Sequence, residues 1–325
     1  MPPIKLSQSL KALIGSSAAR GAPLPAPSAA SLDRLFAGLR SSAKGKGVGS
    51  NTWLTLSVSR TVLASIWRTR GYSSIPGMSF RCIQSATLAT LNSPDSLKHL
   101  YTFATKDATE DDQVRTAAVG RIIPLMREVG LKCISFNGIP RSINNLAALR
   151  SAVPVPIQER LGTTPTREPK DPSTVSSRAN ALWNSIYDPQ STKLLSILSA
   201  SHPDLPVHIL NSHYGALLAD PPFQSSSPGE STSTVGRILT SLIAISCLRA
   251  QGGVEPQVIS HVFGLRKASF EEEAKKELGE GGEWLTSEDG AQWCIDWVDR
   301  IVDQVTRGEG STFATRPQGE LKAKL

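Results

Sequence analysis

The sequence predicts an all-α fold, and three observations carry that prediction. Apolar residues recur at helical spacing through most of the chain. No stretch alternates apolar and polar residues between hairpin-type turns. The longest apolar run, Ile238 to Leu248, is flanked by Arg237 and Arg249 and reads as a buried helix, far short of the roughly 20 residues that cross a bilayer. With 325 residues, 39% apolar and 19% charged, the chain has globular composition and enough length for a sizeable core.

Taken in order, residues 1–32 form an N-terminal extension with Lys5, Lys11 and Arg20, no acid, and prolines at 23, 25 and 27. Leu6, Leu10, Leu13 and Ile14 fall at helical spacing, so the segment reads either as a mitochondrial-type targeting arm or as a short Pro-terminated helix packed on its own domain. An N-terminal helical half over 33–153 follows, with helices expected at 32–42, 93–105, 112–129 and 140–153. Within it, 58–84 carries Arg60, Arg68, Arg70 and Arg81 without an acid and interrupts the pattern between Trp53 and Leu91. It reads as an insertion, of the kind a translated intron leaves. Residues 154–178, punctuated by Pro154, Pro156, Pro165, Pro169 and Pro172, read as a linker. The C-terminal half spans 179–306, with helices expected at 179–199, 206–218, 235–250, 256–278 and 288–306 and a loop at 220–234. In the last helix Trp293, Trp297, Ile301 and Val305 repeat every four residues, and Thr286 or Ser287 can cap its start. Residues 307–325 form a polar tail.

The formal charge of +7 is unevenly placed. Residues 1–100 hold 12 Lys and Arg against two acids, whereas the remaining 225 carry a net −3. The basic residues are spread out, with no aromatic-plus-basic module, which argues against a nucleic-acid partner. The motif Gly45-Lys-Gly-Val-Gly49 has the wrong spacing for a dinucleotide and follows a helix rather than a strand, so it reads as a loop.

Cys82, Cys133, Cys247 and Cys294 make neither a CxxC pair nor a disulfide framework, and Cys133 and Cys247 read as separate, inert buried thiols. His202, His208 and His213 cluster in sequence. On an α-helix, residues five apart point about 140° from each other, so His208 and His213 read as packing or capping histidines, with a substrate pocket as the alternative. No metal or other cofactor is expected.

Two blocks carry a family resemblance: Val235 to Arg249, an apolar helix with Arg near its start, and Pro256 to Ala268, a helix bearing His261, followed by Glu271 to Glu273. This pair resembles the alkyl hydroperoxidase D-like, or carboxymuconolactone decarboxylase-like, superfamily. Thr52 to Leu56, Asn137-Gly-Ile-Pro-Arg141, His208 to Gly215 and Ser260 to Gly264 are similar to a fungal branch of it with mitochondrial or peroxisomal addresses. The resemblance implies a helical bundle that forms homo-oligomers, usually trimers or multiples of trimers. Its peroxidase chemistry does not carry over. Aligned on His261, the two cysteine positions hold Gln257 and Val254 and the glutamate position holds Leu242, so the dithiol and its base are missing. His261 remains the candidate catalytic residue, as a general base of the decarboxylase or lactone type.

The chain ends Ala323-Lys324-Leu325, a small–basic–Leu tripeptide of the peroxisomal kind, which an import receptor reads at the free carboxylate. The expected address is the peroxisome, with the mitochondrion as alternative. Three functions stand: a binder of a small organic acid or acyl metabolite, with His208 and His213 as contacts; an acid–base enzyme centred on His261; and a non-catalytic structural or interaction subunit.

Overall fold

The computed structural model describes residues 7–14, 23–48, 78–106, 112–161, 163, 165–167, 171–220, 235–271 and 281–311. Among them every regular element is helical, as the periodicity predicts. Residues 53–57, residues 58–77 of the expected insertion, residues 221–234 of the expected loop and the Ala323-Lys324-Leu325 terminus lie outside the described residues.

The organising element is the apolar run itself. Helix α12 (Arg237–Gln251) buries every residue from Ile238 to Leu248, because neighbours cover it on all sides: α3 (Met78–Thr90), α13 (Glu255–Lys267) and α15 (Glu288–Thr306). An outer layer is built from α2 (Ala29–Gly45), α4 (Pro94–Lys106), α5 (Asp112–Lys132) and α7 (Ile139–Ala152). Helix α15 matches the expected 288–306, and the Ser287 Oγ accepts a hydrogen bond from the Gly290 N–H at 3.2 Å as its N-cap.

The two halves share their interior. One contiguous core runs from Leu32 on α2 through Ile83 on α3 to Ile243 on α12 and Val305 on α15. A smaller cluster, Ala179, Trp183, Ile186, Tyr214 and Leu218, joins α9 (Pro172–Tyr187) to the segment Ile209–Leu218. The edges of the expected regions are drawn into structure. Leu24, within 1–32, is tied to the core by its N–H to the Asn92 carbonyl at 2.9 Å. Ile83 and Gln84, at the far end of 58–84, are fully buried on α3. Within 154–178, Val155–Gln158 forms the single turn α8, and the last residues open α9, capped by Asp171. By contrast α1 (Gln8–Ile14) buries none of its residues, and Leu10, Leu13 and Ile14 are exposed.

Three expected helices differ in form. The stretch 256–278 is α-helical only to Lys267 and passes through a 3₁₀ turn at Ala268–Phe270 to extended backbone at Glu271, with 272–278 outside the described residues. The stretch 179–199 is divided between α9 and α10 (Ser191–Ser201) at Asp188-Pro189, where proline supplies no N–H to continue the ladder. The stretch 206–218 starts as α11 (Asp204–His208) and continues as a π-helix over Ile209–Leu218, which ends with the Ala219 N–H on the Tyr214 carbonyl at 2.8 Å.

Candidate functional site

The site grows from a short break in the helical framework. Helix α5 ends at Lys132, Cys133 starts the single turn α6 (Ile134–Asn137), and Gly138 stops it at φ 77°. That left-handed conformation suits glycine, and Pro140 in the first turn of α7 restarts the chain in a new direction. Asn137-Gly-Ile-Pro is therefore a helix-breaking device. It turns α6 inward, where Cys133 and three side chains of α6 meet three other helices.

Cys133 lies against Cys247 on α12, sulfur to sulfur at 3.6 Å. The Ser135 hydroxyl is 3.0 Å from Nδ1 of His213 on the π-helix. Phe136 packs edge-on against the His261 ring, centroids 5.9 Å apart. The Asn137 amide N–H points at Cys247 Sγ at 3.7 Å. Residues far apart in sequence, 133–137, 213, 247 and 261, thus share one interior junction.

His261 faces α9 from α13. Its Nε2 is 3.2 Å from the Tyr187 hydroxyl, which is 2.6 Å from the Tyr214 hydroxyl. Trp183 walls the two phenols, 4.2 Å from Tyr187 and 4.9 Å from Tyr214 between ring centroids. Two glycines allow these contacts. At Gly264, one turn after His261, a Cβ would stand 2.7 Å from Ile186 Cγ2, so α13 reaches α9 only without a side chain there. At Gly215, next to Tyr214, a Cβ would stand 2.5 Å from the Val175 carbonyl oxygen.

Burial sets the electrostatics. It lowers the His261 pKa to about 4, so the imidazole is neutral near pH 7. It pushes Tyr187 up to about 12, partly offset by the hydrogen bond from Tyr214, and Tyr214 well above the ordinary phenol range. Both phenols therefore keep their protons. His261 Nδ1 and Asn137 Oδ1 are buried without a hydrogen-bond partner.

Two sequence expectations change here. His208 and His213 do not point apart: their rings meet edge to face at 5.2 Å, because a π-helical ladder pairs residue i with i+5 and stacks residues five apart. Burial, then the neighbouring His208, lowers the His213 pKa. Cys133 and Cys247 are adjacent rather than separate, through a tertiary contact spanning 114 residues. His202, by contrast, accepts the Asp204 N–H at 3.1 Å in a local capping turn and stays outside the junction.

Sequence reasoning missed Tyr187, Ser135 and Phe136 as site residues, since no spacing rule links them to His261. Asn137, Tyr214, Gly215 and Gly264 all sat inside the short blocks that carried the family resemblance, which was the available signal. Among the described residues no group of three or more His, Cys, Asp or Glu is placed to hold a metal. A separate groove of about 670 Å³ lies between α2 and α15, lined by Arg34, Trp297, Arg300 and Arg307, among others.

No family model and no solved structure matches the chain. Over 198 residues the chain is 29% identical to Peroxisomal protein 2 of Saccharomyces cerevisiae, an alignment covering 54% of this chain and 64% of that protein. The chain thus spans somewhat less than two thirds of the length of that curated relative. No helix in the described residues is long and apolar enough to cross a membrane.

Proposed function

We propose that the protein is a peroxisomal acid–base enzyme on a hydroperoxidase D-like helical scaffold, with His261 acting on a small organic acid or acyl metabolite. The observation that carries this reading is the imidazole itself: buried, neutral, held by the Tyr187–Tyr214 pair at Nε2 and unpartnered at Nδ1. A buried polar atom without a partner costs about 1–3 kcal/mol. A ligand that supplies the partner recovers that cost on binding.

Hydroxyls both donate and accept, so the tyrosine pair supports either imidazole tautomer. With the proton on Nε2, that N–H donates to Tyr187 and the Nδ1 lone pair is a base. With the Tyr187 O–H donating to Nε2, Nδ1–H is the acid. His261 can therefore take a proton from one atom of a substrate and return it to another without changing position. Nearby cations are already engaged. Lys132 is held by Asp220, and Arg237 by Ser185 and Glu271. The chemistry therefore belongs at an uncharged carbonyl portion of the substrate. A panel of short keto acids, lactones and acyl thioesters in D₂O tests the reading. Deuterium appearing beside the carbonyl, or substrate loss, is expected with the native protein and not with His261→Gln; equal reaction by both would overturn it.

The groove between α2 and α15 favours a second reading, a non-catalytic binder of organic anions. Three arginines line it, and Arg300 stacks over Trp297 at 5.0 Å. Calorimetry with short dicarboxylates should lose its heat in Arg34→Ala and Arg300→Ala if this reading holds.

The peroxisomal address is supported by the printed name of the yeast relative and by Ala323-Lys324-Leu325, which an import receptor would read. The exposed apolar face of α1 supports the mitochondrial alternative. Deleting Leu325 from a fluorescent fusion should release it from peroxisomes; an unchanged location contradicts the assignment. Homo-oligomer formation belongs to the same proposal, and sedimentation at a single-chain mass would remove it.

A further inference from the structure

His208 and His213 take no part in the acid–base reading, and what they build does not depend on it. The π-helical ladder brings their rings edge to face, with centroids 5.2 Å apart. Two imidazoles bound to one cation, each at about 2.0–2.1 Å, have ring centres about 5 Å apart at a tetrahedral angle. Crossed ring planes are compatible with that arrangement, because an imidazole turns about its metal–nitrogen bond. The outer ring nitrogens are both engaged. The Ser212 hydroxyl is 3.2 Å from His208 Nδ1, and the Ser135 hydroxyl is 3.0 Å from His213 Nδ1. When each hydroxyl accepts the Nδ1 proton, both Nε2 lone pairs are left for a ligand, as in metal-bound histidines. Among the described residues neither Nε2 has a hydrogen-bond partner. His208 is exposed and His213 half-buried, so a solvated cation reaches both. Burial keeps His213 neutral near pH 7, the form that coordinates. Ten residues of π-helix are also uncommon, and such geometry is frequent at functional sites.

We propose that His208 and His213 together bind one divalent transition cation of the kind imidazole prefers, Zn²⁺ or Cu²⁺, through their Nε2 atoms. Two neutral nitrogen donors select against Mg²⁺ and Ca²⁺, which take oxygen ligands. No third His, Cys, Asp or Glu joins the pair among the described residues. Water therefore completes the coordination, and the cation keeps positions open to an outside oxygen or nitrogen ligand. Helical spacing conceals this site, since residues five apart diverge on an α-helix and share a side only where the ladder is π. Binding also braces the interior junction. Through Ser135 the loaded pair ties the π-helix to α6, beside Phe136, whose ring packs on His261.

The test titrates the untagged full-length chain with Zn²⁺ by calorimetry in a non-coordinating buffer, and examines the Cu²⁺-loaded chain by electron paramagnetic resonance. The native chain is expected to take up one Zn²⁺ that His208→Gln does not, with no heat from Mg²⁺ or Ca²⁺. The Cu²⁺ spectrum should carry hyperfine splitting from two imidazole nitrogens. His208 is exposed, so its replacement leaves the fold intact, whereas His202→Gln, outside the pair, should retain both signals. Ser135→Ala should weaken Zn²⁺ binding about tenfold by freeing His213 Nδ1. Equal Zn²⁺ uptake by the native chain and His208→Gln would place the cation on other donors and overturn the proposal. Absence of saturable binding, or a Cu²⁺ spectrum without the two nitrogens, would overturn it as well.

Discussion

Two places in the same helical interior bury polar chemistry, and they treat it in opposite ways. At the C-terminal end of α5, the Lys132 ammonium is fully enclosed, with Asp220 at 2.7 Å, the Val235 carbonyl at 2.5 Å and the Thr240 hydroxyl at 2.9 Å. Three donors meet three acceptors. At the junction around α6, His261 has a partner on one ring nitrogen and none on the other, and the Asn137 carbonyl oxygen is likewise unpartnered. A fully satisfied buried charge locks elements together; here it ties α5 to both sides of the 221–234 stretch. An incompletely satisfied neutral group contributes less to stability and keeps an atom available for another molecule.

The two sites are therefore expected to respond very differently to mutation. Lys132→Met should be the most damaging change, since it leaves Asp220, the Val235 carbonyl and Thr240 without their shared donor. Denaturant unfolding is expected to show a loss of about 3–5 kcal/mol. A loss below about 1 kcal/mol would erase the contrast.

The next largest effect is on pH dependence. The folded His261 pKa lies near 4, below its ordinary 6.5, so the unfolded chain takes up the proton first. The contribution is fully present above pH 6.5 and is lost as pH falls towards 4. Its size is roughly 3 kcal/mol on the usual conversion. Unfolding curves of the native chain and of His261→Leu should diverge in slope across that window, with the variant flatter. At pH 7 itself His261→Leu should change stability by under about 1 kcal/mol, because an apolar replacement removes the unpartnered Nδ1 along with the bonded Nε2.

Tyr187→Phe sharpens the comparison on a smaller scale. It strands His261 Nε2 and the Tyr214 hydroxyl together, and a loss of about 1–2 kcal/mol in thermal or chemical unfolding is expected. The smallest effect should come from the surface. Arg249 and Asp299 form a two-armed ion pair at 2.7 and 2.8 Å, but both are more than 40% exposed. Arg249→Ala should cost at most about 1 kcal/mol, and less in high salt.

The helices were legible in the sequence because burial imposes a period, and α12 and α15 show it most plainly. What periodicity could not supply was the geometry of exceptions. The π-helical turn that stacks His213 on His208 follows from a shift in the ladder that no apolar spacing marks. The Cys133–Cys247 contact and the Tyr187–His261 bond are tertiary, between residues whose separation in the chain carries no rule. His261 itself was found through the family-like helix pair, whereas the phenols that hold it became visible only once α9 and α13 were packed at Gly264. The Asn137-Gly-Ile-Pro block was seen as resemblance before it could be understood as the turn that directs α6 into the core.

The most direct test of this account is an NMR titration of the His261 ring, with the imidazole nitrogens labelled and the signal assigned by comparison with His261→Gln. A neutral imidazole is expected from pH 8 down to a midpoint near 4, with Tyr187→Phe altering the Nε2 resonance more than the Nδ1. A midpoint at 6.5 or above would contradict it, because His261 would then be an ordinary solvated histidine and not a buried base held in reserve.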